Sequence, residues 1–118
     1  MEHVSFRLML NALLNLGLSQ TDAELYIFLA AKIPQNASGI AEAMRITKQQ
    51  VYPHLKNLQE KGIVTSTNDH PRLFSAVPIE NVLNMLAKAN LEQADSIEQN
   101  KQRILTTWQE IIKTNSTQ

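Results

Sequence analysis

Thr47, Lys48, Gln49, Gln50, His54 and Lys56, followed by Arg72, are residue types that can read a nucleic-acid duplex. Gln49 and Gln50 each carry the side-by-side donor and acceptor that bind adenine bidentately, and Lys48 can reach guanine or a phosphate. His54 and Lys56 suit phosphates or neighbouring base edges. Thr47 stands where a helix would begin, and a helix start offers N–H groups to a phosphate. Arg72 would reach the sugar–phosphate backbone or the minor groove. None of this works on a mobile chain, so the elements around these residues decide whether they act together.

Residues 36–62, NASGIAEAMRITKQQVYPHLKNLQEKG, read as two short helices joined by a tight turn at Arg45-Ile46. Asn36 or Ser38 caps the first, which buries Ile40, Ala41 and Met44. Thr47 caps the second, with Gln50 in the reciprocal position of a capping box. Val51, Leu55 and Leu58 give its core face at i, i+4, i+7, leaving the polar residues on the outward arc. Gly62 closes it. Pro53 lies inside this helix, where a proline costs about 3 kcal/mol. Two outcomes are open: the turn Lys48–Tyr52 bends away, or the regular helix starts later than Thr47. Strand-like text follows, IVT and LFSAV, around the turn Asn68-Asp69-His70-Pro71. Helix, turn, helix and hairpin in this order predict a winged helix-turn-helix, with the second helix in the DNA major groove.

Upstream, residues 4–16 form a helix dense in apolar side chains and ended by Gly17, expected to be covered in part by a dimer partner. Ser19 with Asp22, or Thr21 with Glu24, caps the next helix, whose Tyr26 and Phe28 read as core. Downstream, from Ile79 to about Lys113, no proline or glycine interrupts a helical pattern. Leu83, Ala87, Asn90, Ala94, Ile97, Lys101, Ile104, Trp108 and Ile111 recur at alternating spacings of 4 and 3. A rod roughly 50 Å long outreaches its own domain, so this seam calls for a second copy, with Asn90 and Lys101 as register-setting polar positions. The tail TNSTQ is expected to fray. The fold class is mainly α with a small β-hairpin: a winged helix-turn-helix over 1–78, with an N-terminal helix, and a long dimerisation helix over 79–118.

The 118 residues are 43% hydrophobic and 19% charged, contain no cysteine, and carry no net charge. The absence of cysteine rules out disulfides, thiolate zinc sites and cysteine nucleophiles. Charge is unevenly spread: −2 over residues 1–43, +3 over 44–75 and −1 over 76–118. The positive excess falls on the helix-turn-helix and hairpin, as a duplex binder requires. The apolar runs are too short to span a bilayer and the N-terminus lacks a cationic leader, so a cytoplasmic protein without a membrane partner is expected.

LGLSQTDAELYIFLAA and VYPHLKNLQEKGIVTS, then PRLFSAVP, are similar to the TrmB-like winged-helix transcriptional regulators, a family mostly of archaea. The matching pieces are Leu16-Gly17-Leu18-Ser19, Glu24, Tyr26, Val51-Tyr52, Leu55, Leu58, Lys61-Gly62-Ile63-Val64 and Pro71 to Pro78, so the resemblance covers about residues 13–80. It implies a homodimeric regulator of transcription that binds double-stranded DNA. It also implies a place for Tyr52 in the interface, packed under the helix with its hydroxyl offered to a phosphate. Long members of the family carry a C-terminal sugar-binding domain; this chain has one long helix there, and no effector pocket carries over. Pro53 stands where the family usually has a charged or polar residue.

Other classes compete with this reading. A winged helix can serve as a protein–protein module that binds no DNA. A metal-sensing repressor would need a site built from the isolated His3, His54 and His70 with carboxylates between subunits. No glycine-rich phosphate loop or hydrolase, kinase or dehydrogenase motif is present, so no enzyme is expected. The sequence implies no cofactor and leaves a small-molecule effector open.

Overall fold

The computed structural model describes residues 2–116. Eight elements follow in order: α1 (Glu2–Asn15), α2 (Gln20–Ala30), α3 (Ala37–Met44), α4 (Lys48–Glu60), β1 (Val64–Ser66), β2 (Phe74–Ala76), α5 (Ile79–Gln99) and α6 (Lys101–Ser116). They divide into two compact units, Met1–Leu86 and Ala87–Gln118.

The caps account for where the helices of the first unit begin. Ser19 accepts from the Asp22 N–H, and Asn36 accepts from that of Gly39. Thr47 and Gln50 form the full reciprocal box, so α4 starts at Lys48 and runs on through Pro53. A later start is thereby excluded. Pro53 is exposed, which places its missing N–H away from the core.

The ends of three helices share one device. Gly17 (φ 102°), Arg45 (φ 59°) and Gly62 (φ 78°) are left-handed. Each is followed by an apolar residue whose N–H returns to a carbonyl five residues back: Leu18 to Leu13, Ile46 to Ala41 and Ile63 to Leu58. This reverses the chain and turns Leu18 and Ile63 into the core. Arg45 does so without the freedom of glycine, in the helix-turn-helix turn itself.

β1 and β2 pair antiparallel, with Val64 opposite Ala76, Thr65 opposite Ser75 and Ser66 opposite Phe74. Phe74 is also bridged on its other side by Gln35, whose N–H donates to the Phe74 carbonyl at 3.1 Å and whose carbonyl accepts at 2.7 Å. The segment between α2 and α3 is thereby stitched to the wing. Leu13, Leu25, Tyr26, Ile40, Val51, Leu55, Leu58, Ile63, Phe74 and Val82 are almost completely buried and form one core. Each such side chain contributes about 1.5–3 kcal/mol relative to exposure. Val82 and Leu86 belong to this core, so the first unit reaches past the hairpin into the opening turns of α5.

The buried Tyr26 hydroxyl donates to the carbonyl of Val77, tying α2 to the end of the wing. Tyr26→Phe is expected to cost about 1–2 kcal/mol, because that carbonyl loses its donor. Burial raises the Tyr26 pKa above its ordinary value of 10.0. The unfolded phenol therefore ionises first: this contribution to stability is whole below about pH 10 and is lost as pH rises through the folded value. Urea melts at neutral and alkaline pH should show a smaller alkaline loss in Tyr26→Phe than in the wild type.

In the second unit every residue from Leu91 to Asn115 is exposed. An unbroken helix was expected here, but the pattern is interrupted once, at Asn100. Its side-chain amide donates to the Ser96 carbonyl at 2.8 Å, the same acceptor its backbone N–H uses at 3.1 Å. A side chain competing for a helix carbonyl is the usual means by which asparagine disturbs a helix. The ladder is picked up again by Ile104, whose N–H donates to the Asn100 carbonyl at 2.9 Å. Thr114–Ser116 of the tail are helical, while Thr117 and Gln118 lie outside the described residues. Among the described residues no helix is long and apolar enough to cross a membrane.

Candidate nucleic-acid interface

α4 is anchored by burial of Val51, Leu55 and Leu58, and this fixes which residues it turns outward. Lys48, Gln49 and Lys56 are exposed, and their side chains have no hydrogen bond or ion pair to another described residue. Tyr52 is 47% exposed, with its hydroxyl likewise unpartnered, so it stands at the edge of the arc rather than beneath the helix. These four are brought together on one side of the helix.

Gln50 is exposed too, but its side chain is engaged: Oε1 accepts from the Thr47 N–H at 2.8 Å while Thr47 Oγ1 accepts from the Gln50 N–H at 3.1 Å. Bidentate adenine reading needs both the amide oxygen and the amide nitrogen, and here the oxygen is already committed to the cap. Thr47 is occupied by the same box.

His54 is turned towards α2 and is partly exposed. Its Nδ1 lies 2.7 Å from Oδ1 of Asp22, and a carboxylate can only accept, so Nδ1 carries the proton. The second Asp22 oxygen accepts from Asn57 Nδ2 at 2.7 Å. Asp22, 3% exposed, thus binds two residues of α4 from the first turn of α2, where a negative charge is favoured by the helix dipole.

Arg72 is folded onto the wing. Its Nη2 donates to Ser66 Oγ at 3.1 Å and its Nε to the Thr67 carbonyl at 3.4 Å, with the guanidinium carbon 5.8 Å from the centroid of the Phe74 ring. Ser66 Oγ also accepts from Gln59 Nε2 at 2.8 Å, so one hydroxyl links α4 to the arginine of the wing. The sequence marks Asp22 only as a capping-turn acid and Asn57 only as one of the polar residues of the outward arc, and it does not single out Gln59 or Ser66. For Asp22, a partner 32 residues away leaves no local signal. Among the described residues no group of histidine and acidic side chains could hold a metal ion.

A buried apolar face under an outward polar arc, a three-residue wing strand on each side, and a left-handed turn before the second helix define a winged-helix domain. Similar solved structures agree on this fold. A possible transcriptional regulator from Methanosarcina mazei Go1 superposes with a TM-score of 0.58 at 16% identity, covering 75% of this chain and 80% of that one. The multiple antibiotic-resistance repressor MarR from Listeria monocytogenes 4b F2365 gives 0.55 at 13% identity, covering 99% and 87%. A MarR family regulator from Rhodococcus sp. RHA1 gives 0.52 at 18%, covering 88% and 79%. Identities this low speak for the fold. Family membership comes from the sequence: residues 13–80, more than half of the chain, match the family described as sugar-specific transcriptional regulator TrmB. The protein belongs to the TrmB family. Its family and its structural neighbours are regulators of transcription, not enzymes. No curated protein matches the sequence.

Proposed function

We propose that the protein regulates transcription as a homodimer that binds duplex DNA, with α4 in the major groove and the wing on the backbone or minor groove. The observation that carries this reading is the outward arc of α4, where Lys48, Gln49 and Lys56 are exposed and unpartnered while the opposite face is buried. Exposed donors held by a rigid helix are what base and phosphate contacts require.

The second copy would be recruited by the Ala87–Gln118 unit. Ile97, Ile104, Trp108 and Ile111 line one shallow apolar groove along its surface, and Ile97 and Trp108 are 61% and 57% exposed. Isoleucines at 97, 104 and 111 repeat every seven residues, so two copies of this face can match level for level. A twofold dimer would present its two α4 helices to half-sites about 34–36 Å apart, in an inverted-repeat operator. Val4, Phe6 and Leu8, exposed on α1, would add to the contact.

Within this reading base discrimination falls on Gln49, since Gln50 is tied to its cap. Gln49→Ala is expected to relax preference at one base pair by about 1–3 kcal/mol, with Gln50→Ala acting mainly through stability. Arg72→Ala should weaken all sequences alike. Binding-site selection from random duplexes checks this, and equal loss on all sequences for Gln49→Ala would argue against base reading. If no duplex is retained even at low salt, where phosphate contacts are strongest, the DNA reading falls and a protein-docking winged helix takes its place.

A further inference from the structure

Beside α4 a cleft of about 380 Å³ gathers Ser38 of α3, Lys48 and Tyr52 of α4, and His70, Arg72 and Phe74 of the wing. Among the described residues no carboxylate lines it. The side chains of Ser38, Lys48, Tyr52 and His70 have no hydrogen bond or ion pair to another described residue. Arg72 differs in being held in place, by a hydroxyl, a carbonyl and an aromatic ring, all of them neutral. Its charge is positioned without being cancelled, and only two of the five N–H donors of a guanidinium are used.

A lysine alone on a surface is a solvated charge and implies nothing. Two permanent cations, an imidazole and two free hydroxyls around one concavity, with no acid to balance them, form a donor set for a compact oxyanion. An arginine held in a fixed orientation favours phosphate in particular, through paired N–H bonds. We propose that this cleft is a phosphate seat: it takes one phosphate group, either a backbone diester of bound DNA or the phosphate of a free small molecule. Lys48 and Tyr52 also lie on the arc assigned to DNA, so the two sources compete for the same place. That last clause rests on the DNA-binding reading; the seat itself does not.

The test uses the full chain, with inorganic phosphate as the free probe and chloride at matched ionic strength as the control. Amide resonances around Lys48, Tyr52, His70 and Arg72 are followed in the wild type and in Lys48→Ala and Arg72→Ala, both at exposed positions where folding is retained. In parallel, duplex affinity is measured against salt for the same three proteins. Saturable shifts confined to the cleft, lost in Arg72→Ala, establish a seat for free phosphate. A salt slope shallower by about one in each variant places a backbone phosphate there. Both effects together, with phosphate displacing duplex beyond the chloride control, establish competition, and either effect alone removes the competition while keeping the seat. Unchanged slopes combined with shifts no larger than those in chloride overturn the proposal. A protein that binds no duplex loses the DNA reading, and the phosphate titration alone then decides the seat.

Discussion

Ile97→Asp combined with Ile104→Asp is expected to leave a folded monomer whose affinity for an inverted-repeat duplex is lower by about 10²–10⁴-fold. Both side chains are exposed within the chain and lie in the Ala87–Gln118 unit, outside the core of the first. The substitutions therefore remove nothing that the first unit uses to fold, and its stability should change by no more than about 0.5 kcal/mol. In a dimer seam the same residues would be dry, and an unpaired buried carboxylate costs several kcal/mol. Two copies bring four such groups. The large loss on DNA comes from the broken linkage: a second α4 tethered to the first binds at an effective concentration in the millimolar range, and a monomer forgoes it. Sedimentation reads the first effect and duplex titration the second. A double variant that stays dimeric would take the C-terminal helices out of this role and leave the exposed apolar face of α1 as the contact.

Much of the scaffold was readable from residue types because its signals are local. Ser19, Asn36 and Thr47 cap their helices through bonds spanning three residues. Gly17 and Gly62 end theirs through a backbone conformation that few other residues adopt at low cost. Val51, Leu55 and Leu58 announce their shared face by spacing alone. What escaped was carried by single residues acting at a distance or against their usual role. Gln35 pairs with Phe74 through its backbone, which no side-chain pattern encodes. Arg45 takes a left-handed turn that propensity assigns to glycine or asparagine. Asn100 sits among residues that read as continuous helix, and the interruption shows in the bonding of its own amide and backbone rather than in any residue pattern.

The outward arc was legible as a set, yet its members divide by partners that the sequence does not reveal. Gln50 and Gln49 are identical in type and adjacent, but one is held in the Thr47 cap and the other is free. His54 has the spacing of an interface residue, yet it bonds to Asp22 of α2 and stays only partly exposed. Periodicity locates a side chain to within a quarter turn of helix; whether it bonds outward or inward depends on what the neighbouring helix offers. Here α2 offers an acid.

That acid leads to the second large effect. Asp22→Ala is expected to cost about 2–3 kcal/mol of stability, since two bonds to a charged acceptor are lost, and it should also weaken duplex binding by protein that remains folded. The carboxylate holds His54 and Asn57, three residues apart on α4, against the start of α2. It therefore sets the roll and tilt of the helix that carries Gln49 and Lys48. His54 and Asn57 are partly exposed, so water can satisfy their freed donors; the loss then appears as mobility of α4 as well as lower stability. Asp22→Asn keeps the shape and one acceptor oxygen, and the new amide can donate to His54 if the imidazole changes tautomer. It should retain most of the binding with a smaller stability loss, about 1 kcal/mol. Chemical denaturation and duplex titration well below the melting temperature separate the two roles. Wild-type affinity in folded Asp22→Ala would reduce Asp22 to a stabilising residue, whereas weakened affinity restored by asparagine would identify it as the residue that aims the recognition helix.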